Sequence, residues 1–229
     1  MEDFAQRLAQ IQERIEAAER RSGRSPGAVK LMAVSKTRSR QEVEEAYRLG
    51  LRLFGENRVQ EAAEKFDAMP ADTELHLIGH LQRNKAKTAA ASVVCVQSID
   101  KFETAAALEK HCAELDRTMK ILLEVNTSGE VSKEGVTNQA QLIPLIEAVL
   151  DMTHLKISGL MTMAPFTDDQ TAVRASFSAL RKLQEHLVKV FPETDFSELS
   201  MGMSSDFELA IEEGSTLVRV GTSLFGPRK

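Results

Sequence analysis

The sequence predicts an α/β fold, a single-domain (β/α)8 barrel of the TIM type with one extra helix in front of it. Three observations lead there. Short apolar runs alternate strictly with helical patterns from position 29 onward, and strict alternation implies parallel strands joined by crossover helices. The runs number eight, the count that closes such a barrel. The length, 229 residues, falls near the lower end for that fold. A doubly wound open sheet is the second choice. No linker, repeat or low-complexity tract divides the chain, so residues 1–229 read as one barrel domain, with residues 1–22 as a helix packed on it.

In chain order, Phe4, Leu8, Ile11 and Ile15 recur at helical spacing with Glu and Arg between them, which predicts an amphipathic helix to about Arg21. Its polar face mixes both signs, so it suits packing on a domain better than lying on a membrane. Ser22-Gly23-Arg24-Ser25-Pro26-Gly27 ends it as a loop. Strands are expected at Val29–Lys36, Leu51–Gly55, Leu75–Gly79, Val93–Ile99, Lys120–Asn126, Lys156–Met161, Glu198–Met203 and Leu217–Val220. Helices are expected near Arg40–Leu49, Val59–Phe66, Arg83–Ala90, Lys101–Glu114, Gln139–Asp151, Asp169–Val190 and Phe207–Glu212. In the first strand, alternation puts Met32, Val34 and Lys36 on one face and Leu31, Ala33 and Ser35 on the other.

The bulk numbers exclude several classes of function. Hydrophobic residues are 42% and charged residues 28%, ordinary for a soluble globular protein. A net charge of -5 argues against a general nucleic-acid or acidic-membrane surface. Cys95 lies in an apolar run and Cys112 in a helical pattern; neither has a partner at metal-ligand spacing, and no metal is expected. Met1-Glu2-Asp3 does not open a signal peptide, and no apolar stretch is long enough to span a bilayer. A reducing cytoplasm is the expected location.

In a barrel the residues just after each strand converge on one face. Those loops offer Lys36; Gly55-Glu56-Asn57; Gly79-His80-Leu81-Gln82-Arg83-Asn84-Lys85; Asn126-Thr127-Ser128; Met161-Thr162-Met163-Ala164-Pro165; Met203-Ser204-Ser205-Asp206; and Gly221-Thr222-Ser223. Two look like anion sites. Ser204-Ser205-Asp206 leads into a helix, whose free N–H groups bind phosphate, although ordinary N-capping explains it equally. Gly221-Thr222 lets backbone approach a ligand, although a plain turn would read the same way. Arg219 is the odd residue of the last strand: it either holds a ligand or makes an internal ion pair, with Glu124 as the partner at hand. His80 reads equally as a loop residue or a catalytic one, and Arg83 with Lys85 as a solvated first helical turn.

Taken together and in order, Val34-Ser35-Lys36-Thr37, Phe54-Gly55-Glu56-Asn57 with Gln60-Glu61, Ile78-Gly79 with Leu81-Gln82 and Asn84-Lys85, Gly159-Leu160-Met161, Leu199-Ser200-Met201-Gly202-Met203-Ser204 with Asp206, and Val218-Arg219-Val220-Gly221-Thr222 with Phe225-Gly226 resemble the pyridoxal phosphate homeostasis protein family, also called YggS/PROSC. The family is similar in fold to the N-terminal barrel of bacterial alanine racemase. The resemblance implies that Lys36 forms a covalent Schiff base with pyridoxal 5′-phosphate (PLP). Ser204, Gly221 and Thr222 would hold its phosphate. Arg219 would face the pyridine nitrogen, and Asn57 would lie near the ring. No residue is assigned a catalytic role.

The implied function is PLP binding in intracellular vitamin B6 homeostasis, without efficient turnover. The alternative is a PLP-dependent racemase-like enzyme. A two-base racemase of this fold type takes a tyrosine from a second domain. The only tyrosine here is Tyr47, at an ordinary helix-face position, and no second domain is expected after Gly226. Losing a positioned acid–base group costs roughly 10²–10⁴-fold in rate. A class I aldolase using a lysine without PLP ranks last. The expected partners are PLP and PLP-dependent apoenzymes that would receive it, with no nucleic acid and no membrane, and the expected state is a monomer.

Overall fold

The computed structural model describes residues 3–130 and 133–227. Its strands are β1 (Lys30–Val34), β2 (Leu53–Glu56), β3 (Glu74–Leu77), β4 (Cys95–Ile99), β5 (Met119–Glu124), β6 (Leu155–Met161), β7 (Glu198–Ser200) and β8 (Leu217–Val220). They pair in parallel and in chain order, and β8 returns to β1, so the sheet closes into a barrel and the open-sheet alternative falls. The helices are α1 (Phe4–Arg21), α2 (Arg40–Arg48), α3 (Val59–Lys65), α4 (Ala86–Ser92, entered through a 3-10 turn at Arg83–Lys85), α5 (Phe102–Glu114), α6 (Gln139–Leu150), α7 (Gln170–Val190), α8 (Phe207–Glu212) and α9 (Thr222–Phe225).

The extra helix forms as expected. Asp3 and Gln6 make a reciprocal capping box at the start of α1. Phe4, Leu8, Ile11 and Ile15 are buried, and α1 packs on α8 and α9, with the Phe4 and Phe225 rings 5.1 Å apart. Glu19, fully buried, accepts hydrogen bonds from the backbone of Gly27 and Val29 and so ties the loop after α1 to the entrance of β1.

The period of two separates two buried zones. Ala33, Phe54, Val96, Ile121, Val218 and Val220 join the main core under the helices. Their strand neighbours face the barrel axis. There Cys95, Leu122 and Met161 form a separate apolar cluster, and Met32, His76, Gln97, Ser200 and Arg219 are buried beside it. Gly55 suits this packing, because a Cβ there would lie 2.6 Å from Met32 Sδ and the Met32 side chain would have to shift.

Most element ends shift by one to three residues from the sequence reading, and three of the differences, all at the C-terminal end of the barrel, bear on the site. β1 stops at Val34, so Lys36 is in a turn past the strand and not on its face. Pairing ends with Ser35 N–H donating to Gly55 O, and the chain then turns through Thr37 at φ 64°. β7 ends at Ser200 instead of Met203, because Gly202 leaves the sheet at φ 95°, where a Cβ would lie 2.6 Å from Ala210 Cβ. Thr222 and Ser223, read as part of a loop, open the short helix α9, which runs to Phe225.

Candidate functional site

A cavity of about 420 Å³ opens at the C-terminal end of the barrel. Lys36, Asn57, Ser204, Arg219, Gly221 and Thr222, the six residues expected to bind a cofactor, all line it. They come from the segments following β1, β2 and β7 and from β8 and its exit, and closure of the barrel is what gathers them. A larger cavity of about 730 Å³ lies at the opposite end, beside Lys30, His76 and Lys120. Barrel chemistry belongs to the strands' carboxyl ends, where the smaller cavity lies; a neighbouring cavity of about 510 Å³ beside Lys133 and Asp206 shares Met163, Phe166 and Met203 with it.

Lys36 is half-buried in its turn. Asn57 follows β2, and its backbone is held by a close approach: a Cβ on Gly79 would lie 2.2 Å from Asn57 O. Val34, Ile78, Met161, Met163 and Met203 supply apolar walls between the polar ends.

Arg219 is buried and fixed. Its Nη1 donates to Ser200 O and Ser200 Oγ, both at 2.7 Å, and its Nη2 donates to Thr162 O at 2.8 Å. Burial lowers its pKa to about 10, against the opposing pull of Glu124 and Asp206, so it stays a cation at neutral pH. No ion pair joins it to Glu124. Burial, then the charge of Asp100, holds that carboxyl up at about 7 against the attraction of Arg219. The guanidinium is therefore anchored by neutral acceptors, with N–H donors left over for a ligand.

The anchor continues down the barrel axis. Ser200 Oγ donates to Gln97 Oε1 at 2.6 Å, and Gln97 Nε2 donates to His76 Nδ1 at 2.9 Å. With Nδ1 accepting, His76 is a neutral imidazole, and burial holds its pKa down at about 3.

The loops after β7 and β8 meet at the other side of the cavity. Ser204 Oγ accepts from Gly221 N–H at 3.3 Å and Ser223 N–H at 3.4 Å, both long. Asp206 Oδ1 accepts from Met203 N–H at 2.6 Å, and burial raises its pKa. A Cβ on Gly221 would lie 3.2 Å from Val34 O, so glycine lets this turn sit against β1. Weakly held N–H groups beside hydroxyls make a site for an oxyanion.

Other residues singled out in the sequence lie elsewhere. His80 is exposed, and neither it nor Arg83 nor Lys85 lines the cavity. Tyr47 OH donates to Asp72 Oδ1 at 2.5 Å, and the Arg52 guanidinium stacks 3.9 Å above its ring, away from the cavity. Among the described residues no group of His, Cys, Asp and Glu could hold a metal ion. Sequence reasoning missed Arg38 and Phe166 on the cavity wall. It also missed Lys65 on α3, although Glu61 and Lys65 stand at the i, i+4 spacing of a helix-face ion pair.

Comparisons with known proteins agree on one family. The model of the alanine racemase N-terminal domain matches residues 6–229. A curated relative from Aquifex aeolicus, named pyridoxal phosphate homeostasis protein, is 41% identical over 225 residues, covering 98% of this chain and 98% of its own. PipY of Synechococcus elongatus, solved without and with PLP bound, superposes with TM-scores of 0.88 and 0.85 at 36% and 37% identity, covering 98% of this chain and 100% of that one. Alanine racemase of Clostridium difficile shares the fold alone, with a TM-score of 0.74 at 11% identity. The match covers 94% of this chain and 56% of the racemase.

Proposed function

The chain belongs to the alanine racemase N-terminal domain family and, within it, to the pyridoxal phosphate homeostasis proteins, and on that premise we propose that it binds PLP as a Schiff base on Lys36 and carries it, without efficient turnover, in intracellular vitamin B6 homeostasis. The observation that carries this reading is the convergence of Lys36, Asn57, Ser204, Arg219, Gly221 and Thr222 on one cavity. The relative solved with PLP bound supports the choice of cofactor.

The donor set fits the group. An amine lies at one wall, long-held backbone N–H groups and hydroxyls at another, a fixed cation within, and thioethers and aliphatic carbons between them. Bound PLP supplies an aldehyde to the lysine and a conjugated ring that acts as an electron sink when its nitrogen is protonated. Lys36 Nζ attacks the aldehyde carbon in its neutral form; a C=N bond forms and the carbonyl oxygen leaves as water, with no change of oxidation state. Ser204, Gly221 and Thr222 bind the phosphate. Arg219, cationic and held by Ser200 and Thr162, faces the ring nitrogen and opposes its protonation, so the sink is weak. Asn57 fixes the ring's edge.

The cavity wall also supports a carrier over an enzyme. Among the described residues its titratable side chains are Lys36, Arg38 and Arg219. Lys36 is committed to the cofactor, and guanidiniums do not exchange protons near neutral pH. The racemase-like alternative has the shared barrel in its favour and finds no second base among the described residues of this wall. A monomeric, cytoplasmic, single-domain carrier that passes PLP to apoenzymes completes the proposal. Among the described residues no helix is long and apolar enough to cross a membrane. The test is to incubate PLP-loaded protein with L-alanine, follow D-alanine by chiral chromatography, and in parallel follow activation of a PLP-requiring apoenzyme. Activation without racemisation supports the carrier. Racemisation at ordinary enzyme rates overturns it.

A further inference from the structure

We infer that Lys65 and Glu61 are positioning residues for Lys36, clamping the two peptide groups on either side of it so that its amine can close the covalent bond to the cofactor. The inference rests on the reading of Lys36 given above and deepens it.

The clamp is a set of short bonds from α3 to the turn after β1. Lys65 Nζ donates to Ser35 O at 2.8 Å, to Glu56 Oε1 at 2.7 Å and to Glu61 Oε1 at 2.7 Å. These are all the donors an ammonium has. Glu61 Oε1 also accepts from Thr37 N–H at 2.7 Å, and Ser35 Oγ donates to Glu56 Oε1 at 2.7 Å. The carbonyl before Lys36 and the N–H after it are thus both tied to one side-chain cluster, which lies behind the turn and makes no part of the cavity wall.

Two features show that the turn needs holding. Thr37 adopts φ 64°, a left-handed conformation that is strained for a β-branched residue. The cluster is also a poor device for stability. Glu56 is fully buried, its Oε2 has no hydrogen-bond partner, and burial raises its pKa. A buried ion cluster contributes no more stability than well-packed apolar residues would. What this one does supply is a fixed direction for the backbone from which the Lys36 side chain leaves.

Geometry matters most to the covalent step, in which Nζ adds to the aldehyde carbon and water is expelled. A displacement of about 1 Å costs on the order of 10²-fold in such a step. The phosphate-side residues Ser204, Gly221 and Thr222 follow β7 and β8, which the bonds of the clamp do not reach; Asn57 adjoins the clamp through Glu56. Loosening the clamp therefore weakens the covalent hold selectively.

The experiment compares two probes: PLP, and pyridoxine 5′-phosphate, which has an alcohol in place of the aldehyde and cannot form the C=N bond. Wild type, Lys65→Met and the milder Glu61→Ala are titrated with both, and bound PLP is located by borohydride reduction and peptide mapping. The expected result is a loss of PLP affinity on the order of 10-fold or more in both variants, with the alcohol bound as in wild type. Thr37→Gly, which relieves the left-handed strain, restores part of the loss in the Lys65→Met background. If Lys65→Met does not fold, Glu61→Ala alone decides. Equal losses for both probes, or no loss for either, overturn the clamp. If wild type itself forms no adduct at Lys36, the reading of Lys36 fails first, and the clamp fails with it.

Discussion

Replacing Glu124 with glutamine stabilises the protein at neutral and alkaline pH and leaves it unchanged in mild acid. Glu124 ends β5 and is 3% exposed. Burial, reinforced by Asp100, holds its carboxyl at about 7 in the folded chain, against an ordinary value of 4.5. The unfolded chain releases this proton near pH 4.5 and the folded chain near pH 7. Between the two the folded state binds more protons, so stability falls as pH rises through that window. The displacement of 2.5 pH units is 7 less 4.5, and at 1.36 kcal/mol per unit it amounts to about 3 kcal/mol, fully expressed above pH 7 and absent below 4.5. Glutamine has the same shape and never carries the charge. Urea unfolding of both proteins from pH 4.5 to 8 at one ionic strength measures the effect, because the other titrating groups cancel in the difference. The predicted difference grows by about 3 kcal/mol in favour of glutamine across the window. A difference that stays flat refutes the placement of Glu124 as a strained buried acid. It would also refute the reading that Glu124 leaves the Arg219 charge only partly compensated.

His76 has the opposite dependence. Its folded pKa lies near 3 against an ordinary 6.5, so its contribution is intact above pH 6.5 and is lost as pH falls toward 3, by about 3 kcal/mol at pH 4.5. His76→Gln flattens that acid limb in urea titrations, and an unchanged limb contradicts the assignment. Gly79→Ala sets a Cβ 2.2 Å from Asn57 O and 2.8 Å from Asn57 Cα. Relief by backbone movement costs about 1–3 kcal/mol or more and shifts Asn57 at the cavity, so both the urea midpoint and PLP affinity fall. Wild-type values on both counts would contradict it.

The barrel was legible because alternation and strand count are properties of local pattern, and β8 and α8 were placed at their observed ends. The loops were less legible for a specific reason. Whether Lys36 rides on a strand or a turn depends on where pairing stops, and pairing stops where Ser35 N–H meets Gly55 O on a neighbouring strand. Periodicity holds no trace of that register. Lys65 drew no notice in the sequence because its partners Ser35 and Glu56 are 30 and 9 residues away. The Arg219 alternatives could not be separated from sequence either. The structure removes the ion pair, giving the guanidinium to Ser200 and Thr162 and closing no pair with Glu124. The six cavity residues were found together through motif order, and closure of the barrel accounts for that order in space.

Carriage of PLP by Lys36 can be read chemically. The protein is loaded with PLP, reduced with borohydride, digested and mapped by mass spectrometry. The phosphopyridoxyl mass is expected on the peptide containing Lys36 in wild type. Trapping on another lysine, or no trapped adduct despite saturating PLP, contradicts it.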